Sequence, residues 1–306
     1  MSILSRLLDR TPYIGRLRRQ IRAMRRREGR YPAGHYYSPI PSSDDVKRHL
    51  TWQGSERAKS CPDIRFREKE QFSLLQVYAQ YYDEIPFMET KQADLRYHYD
   101  QEWFRYADAI FLYCHLRETQ PQRIVEVGSG FSSAVMLDTV ERFLPYGPKM
   151  IFIEPNCDRL FELLKPDDEA GVQIIQDRVQ NVSPSVFAGL GADDLLFVDS
   201  SHVLKAGSDL YFLLFEVIPR LARGVIVHFH DVFYPFDYRS DWLSMGRYWN
   251  EAYFLRAFLA YNAEWRIRFF NSYVGNRFNE YLVQEMPLCA RDTGGSLYIE
   301  HVGAME

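Results

Sequence analysis

Five short apolar runs recur along the chain: "RIVEV" (123–127), "MIFIE" (150–154), "VQIIQ" (172–176), "LLFVD" (195–199) and "VIVHF" (225–229). Helical patterns such as "SSAVMLDTVERF" and "SDLYFLLFEVIPRL" lie between them. Strands this short and uniformly apolar need cover on both faces, which a parallel sheet flanked by helices provides. The pattern therefore predicts an α/β, doubly wound, mostly parallel sheet. A helical stretch with Trp249, Tyr253, Ala257, Phe258 and Tyr261 on one stripe follows, read as core or a subunit interface, and then two strand-like ends, "WRIRFFNSY" and "GGSLYIEHV".

The remaining organisation is read from composition. Residues 1–30 hold ten arginines against Asp9 and Glu28, with Leu4, Leu7, Leu8, Ile14, Leu17, Ile21 and Met24 at helical spacing and a break near Thr11-Pro12. This is a basic amphipathic arm, suited to an anionic membrane surface or to packing on its own protein or a sister subunit. Residues 31–49 carry three prolines and a glycine among tyrosines, so an extended, ordered loop is expected there. From about 65 to 119 the pattern is helical. The organisation read is thus an arm over 1–30, a cap or extension over 31–95, and a catalytic-type domain over 96–306. At 46% hydrophobic and 15% aromatic residues the chain is too apolar for disorder, while no apolar run approaches the ~18 residues of a membrane helix. Cys61, Cys114, Cys157 and Cys289 are isolated, with no metal or redox spacing, which points to a reducing, cytoplasmic setting.

In "IVEVGSGFSSAVM" a strand ending at Glu126 and Val127 runs into a Gly-x-Gly turn and a helix start. Glycines there let backbone approach a ligand at a helix N-terminus. The third glycine of a dinucleotide fingerprint is replaced by Ser133, which counts against a nicotinamide nucleotide. Glu154, ending the second strand, is placed to bind a ribose diol. Acid, glycines and acid together describe an adenosine pocket.

With these motifs the sequence resembles the class I S-adenosylmethionine-dependent methyltransferases, over about residues 96–306. The resemblance implies a Rossmann-like seven-stranded sheet with an antiparallel edge hairpin, and an N-terminal helical and loop extension outside it. It also implies donor contacts from Glu126, Gly128, Ser129, Gly130, Ser132, Glu154 and, after the third strand, Asp177. The longer stretches "VDSSHVLKAGSD", "GVIVHFHDVFYPFDY" and "WNEAYFLRAFLAYN" look like a bacterial subgroup thought to methylate hydroxyls of sugars or natural products.

Ligands of open α/β sheets sit beyond the carboxyl ends of the strands. Asp199 ends the fourth strand and His230-Asp231 end the fifth, so all three are expected at one rim. That donor set suits Mg²⁺ or Mn²⁺. In catechol-type O-methyltransferases, which the arrangement resembles, metal ligands occupy these positions, and a lysine base stands where His202 falls here. The resemblance therefore implies Asp199, His230 and Asp231 as metal ligands, with His202 and Asp199 as the catalytic pair. His228, two residues deeper than His230 on the same strand face, reads as a hydrogen-bonded core residue. His35 in the Pro-rich segment is left unassigned.

The expected activity is methyl transfer from S-adenosylmethionine to a hydroxyl of a sugar, glycoside or small natural product, with no nucleic-acid partner and a homo-oligomer left open. A noncatalytic nucleoside-binding scaffold is the alternative. Metal-dependent hydrolysis fits less well, because "HFHDVF" lacks the spacing and extra histidine of HxHxDH. Facial-triad oxygenases usually sit on all-β folds.

Overall fold

The computed structural model describes residues 11–27 and 29–303. The strands are β1 (Arg123–Val127), β2 (Lys149–Ile153), β3 (Val172–Ile175), β4 (Leu195–Val198), β5 (Ile226–Phe229), β6 (Trp265–Phe270) and β7 (Leu297–His301). Helices of eleven residues or more are α1 (Pro12–Arg27), α2 (Ser43–Gln53), α3 (Glu68–Ala79), α4 (Tyr106–Thr119), α5 (Phe131–Phe143) and α6 (Glu251–Tyr261).

The strands form one seven-stranded sheet in the order β3-β2-β1-β4-β5-β7-β6. β1 to β5 pair in parallel, and β7 runs antiparallel to both β5 and β6. This is the Rossmann-like sheet with a reversed edge that the sequence predicts. Strand order leaves β1 in one direction toward β2 and β3 and in the other toward β4 and β5. The switch point between β1 and β4 opens a crevice at the carboxyl ends of the strands.

β1 and β2 are buried from their second residue onward, and β4 and β5 throughout. α4 is buried along eleven consecutive positions, Tyr106 to Leu116, and is apolar nearly all round, as a helix enclosed by its neighbours must be. Each large side chain fully buried there contributes about 1.5–3 kcal/mol. Asp108 and His115 are buried within this apolar run.

Two compact units emerge. One comprises the chain up to Ser60 with Arg239–Tyr248, and the other Cys61–Tyr238 with Trp249–Glu306. The larger unit thus takes in residues 61–95 of the expected extension. α3 explains why: its Leu75 and Tyr78 are buried in the core of the sheet domain, and Gln71 Oε1 accepts the backbone N–H of Phe270 on β6 at 2.8 Å.

Other local expectations change as well. Residues 43–49 are helical, because Ser42 and Asp45 form a reciprocal capping box that starts α2 despite the prolines before it. Residues 85–105 hold no helix, so the helical reading of 65–119 applies to its two ends. The 208–221 pattern breaks into an α-turn, a π-turn and a 3₁₀ turn (Ile218–Arg220) containing Pro219, whose ring cannot continue a regular helix. α6 buries Glu251, Ala252 and Leu255, whereas Tyr253, Ala257 and Tyr261 of the expected stripe are exposed. Among the described residues, no helix is long and apolar enough to cross a membrane. The part of the basic arm before Thr11 lies outside the described residues.

Candidate active site

The turn after β1 is shaped by contact with the turn after β4. Gly128 has a left-handed backbone (φ +85), and a Cβ there would lie 1.7 Å from the carbonyl oxygen of Asp199. Only glycine tolerates both. Glu126 is fully buried and is not among the residues that line the cleft described below. It accepts the hydroxyl of Ser132 at 2.6 Å and a short hydrogen bond from Ser133, while the Gly130 N–H donates to Ser133 Oγ at 2.9 Å. Burial pushes the Glu126 carboxyl up to about 8, against the hydroxyls that favour its charge. Glu126 and Ser132 therefore hold the turn from behind.

Glu154 lies on the open side. Its carboxylate accepts the N–H of Asn156 at 2.8 Å and that of Ser129 at 3.3 Å, which ties the ends of β1 and β2 together. Gly128, Glu154, Arg178, Asp199 and Lys205 are among the residues lining a cleft of about 460 Å³, within the usual range for small-molecule sites. Asp177 is exposed and accepts from the Arg178 N–H and from Asn181 Nδ2. Those bonds lower its carboxyl, and they shape the loop whose next three residues, Arg178 to Gln180, line the cleft.

Asp199 also belongs to a second group. It stands one residue past β4 and extends the ladder through its N–H to Val127 O, as the His230 N–H does to Val198 O. Asp199, His230 and Asp231 each present one potential ligand atom, all within 4.8 Å of one another. His230 Nδ1 is 3.4 Å from Asp199 Oδ1 and 3.9 Å from Asp231 Oδ1. His202 Nε2 faces the same carboxylates, 3.4 Å from Asp199 Oδ1 and 3.6 Å from Asp231 Oδ2. His202 and Asp231 have left-handed backbones, φ 58 and φ 57. Such strain in non-glycine residues concentrates at functional sites.

Two carboxylates that the sequence reading missed hold the imidazoles. Asp108 Oδ2 lies 3.5 Å from His230 Nε2, and the same carboxylate accepts from Asn271 Nδ2, the Gly295 N–H and Ser296 Oγ. That arrangement leaves His230 Nδ1 facing the cluster. Glu251, at the start of α6, reaches His202 Nδ1 at 2.8 Å, and the Trp249 ring packs 4.3 Å from the imidazole. His202 Nε2 is thereby the atom presented to the site. The available signal was one acid inside each apolar stretch, "YADAIF" and "WNEAYF".

Charge balance follows from this geometry. Burial opposes protonation of His202, yet its hydrogen bonds to Asp199 and Glu251 prevail and raise it to about 10. Burial likewise opposes charge on His230, but Asp231 and Asp199 hold it well above the usual imidazole range. The two imidazoles in turn carry Asp199 well below the carboxylate range, against burial, whereas burial dominates at Asp231 and raises it. Four carboxylates, from Asp108, Asp199, Asp231 and Glu251, thus surround two imidazoles in a partly dry site. His230 Nδ1 is buried without a hydrogen-bond partner among the described residues. One imidazole nitrogen and two carboxylates around it fit a hard divalent cation, which would take the place of a proton.

His228 is fully buried, stacked on Phe197 at 3.9 Å, and burial drives its pKa well below the usual imidazole range. Neither of its ring nitrogens has a hydrogen-bond partner among the described residues, so it is a packing residue rather than the hydrogen-bonded one expected. His35 stacks on Tyr31 and Tyr36 in the other unit.

A family model described as a methyltransferase domain matches residues 125–232, from β1 to just past β5. An uncharacterized protein of Archaeoglobus fulgidus is 31% identical over 128 residues, 41% of this chain, and the chain spans 58% of that relative's length. Among solved structures, the chain is similar to the SAH-bound methyltransferase PaMTH1 of Podospora anserina, at 14% identity and TM-score 0.42, covering 86% of this chain and 98% of that one. It is also similar to the SAM-bound O-methyltransferase TomG of Streptomyces achromogenes, involved in tomaymycin synthesis, at 14% identity and TM-score 0.42, covering 84% and 96%.

Proposed function

We propose that the methyltransferase domain binds S-adenosylmethionine in the cleft and transfers its methyl group to a hydroxyl of a sugar, glycoside or other small natural product. The observation that carries this reading is the double membership of Asp199, which lines the donor-sized cleft and also belongs to the His202–His230–Asp231 cluster. A donor site and a set of proton-handling groups therefore share one wall.

Glu154 is placed for a ribose diol, and the Gly128 turn allows close approach of the donor. The donor supplies a sulfonium methyl that needs no further activation, so the protein's work is placement and handling of the hydroxyl proton. Asp199, His230 and Asp231 are the residues that would hold Mg²⁺ or Mn²⁺. Such a cation makes a bound hydroxyl more acidic and offsets the carboxylate charge that keeps His202 protonated. Glu251 fixes His202 through Nδ1, which leaves Nε2 to take the proton.

Isothermal titration with S-adenosylmethionine or S-adenosylhomocysteine, with Mg²⁺ and with EDTA, tests the reading. Micromolar binding in at least one condition is expected, and no binding in any condition overturns it. Full activity of Asp231→Ala on an identified acceptor would remove the cation from the mechanism.

A further inference from the structure

We infer that α1 docks on an anionic lipid surface. Tyr13, Ile14, Leu17 and Ile21 are 79%, 39%, 45% and 41% exposed. At about 100° per residue these four fall within one arc of about 100°, while Arg16, Arg18 and Arg19 lie outside it. The helix sequence, PYIGRLRRQIRAMRRR, holds seven arginines and no acid. Its apolar arc is therefore uncovered on a helix whose other faces are strongly cationic.

The charge pattern selects among occupants. A nucleic acid would satisfy the arginines and leave the apolar arc in water. A second copy seated arc to arc would bury the apolar arc but set two arginine-rich helices side by side, with no acid on either helix to offset them. An anionic bilayer takes both faces at once: the apolar arc enters the boundary between headgroups and acyl chains, and the arginines reach lipid phosphates along their own stems. At sixteen residues the helix is about 24 Å long, too short to span a hydrocarbon core of about 30 Å, so it lies in the interface plane. This inference is independent of the chemistry proposed for the cleft.

The test is co-sedimentation of the full chain with phosphatidylcholine vesicles, with and without phosphatidylglycerol. Binding is expected only with phosphatidylglycerol and should weaken as salt shortens the screening length from about 10 Å at 0.1 M toward about 3 Å at 1 M. Leu17→Glu combined with Ile21→Glu should lower vesicle partitioning about tenfold or more. Arg16→Glu combined with Arg19→Glu should lower it and make its salt dependence shallower. Far-ultraviolet circular dichroism and the thermal midpoint, unchanged in both variants, show that the fold is intact. No binding of the wild-type chain to phosphatidylglycerol vesicles overturns the inference, as does undiminished binding of the Leu17/Ile21 variant. Tight binding to duplex DNA without vesicle binding, or a dimer dissolved by the Leu17/Ile21 variant without vesicle binding, overturns it equally.

Discussion

Glu126 shows how one buried carboxyl serves the site without touching it. Its folded-state pKa of about 8 lies above the ordinary 4.5, so the native protein holds this proton through a range in which the unfolded chain has lost it. The contribution is intact below about pH 4.5 and is lost as pH rises toward 8. Replacing Glu126 with Gln, which cannot titrate, should flatten that decline, read as the urea midpoint against pH for both proteins. The missed carboxylates act differently. Asp108→Asn should weaken Mn²⁺ binding about 10–100-fold, because second-layer partners of a ligating imidazole fix its orientation and basicity. Equilibrium dialysis would measure this, and unchanged affinity would show that the 3.5 Å approach of Asp108 to His230 is idle. Glu251→Gln should lower kcat about 10–100-fold while leaving the Kd for S-adenosylhomocysteine unchanged, since Glu251 touches His202 and does not line the cleft. Steady-state kinetics with titration separates the two.

Elements explain what was legible in the sequence. β1 to β5 were readable because a buried parallel strand is apolar at every position, and Asp199 and His230-Asp231 were readable because they break that pattern where each strand reaches the rim. Asp108 and Glu251 were not. Their partners lie far along the chain, and a lone acid on an apolar helix face resembles a cap or a solvated residue until helix phase is known. Glu251 fixes that phase itself: turned inward to His202, it rotates Tyr253 and Tyr261 outward, against the aromatic stripe read from sequence. α2 was missed because proline density outweighed a four-residue capping signal. Ser42→Ala removes the acceptor for the Asp45 N–H and should cost about 1 kcal/mol locally. Amide exchange in the first turn of α2 would report the loss, with protection elsewhere unchanged.

At the scale of the whole molecule, the sheet's switch point places one residue in both the cleft and the His/Asp cluster. Asp199 pairs through its backbone with β1, presses its carbonyl toward Gly128, lines the cleft, and offers its carboxylate to the cluster. On the proposed reading, a cation held at that carboxylate would change the charge along the cleft wall, so the cation and S-adenosylhomocysteine affinities are predicted to be linked. Linkage is reciprocal: whatever factor Mg²⁺ imposes on S-adenosylhomocysteine binding, S-adenosylhomocysteine imposes on Mg²⁺ binding. Coupling of this kind typically amounts to about 1–3 kcal/mol, or about 5–150-fold. Tighter S-adenosylhomocysteine binding with the cation is the expected sign, because this product lacks the sulfonium charge that a cation would repel and the cation would stiffen the turn against Gly128. Titration of each ligand in the presence and absence of the other measures the factor twice. Asp199→Ala should abolish the coupling, whereas Glu154→Ala, which lines the cleft but lies outside the His/Asp cluster, should weaken S-adenosylhomocysteine and leave Mg²⁺ affinity intact. Equal donor affinity with and without cation in the wild-type protein would mean that Asp199 divides the two sites instead of joining them.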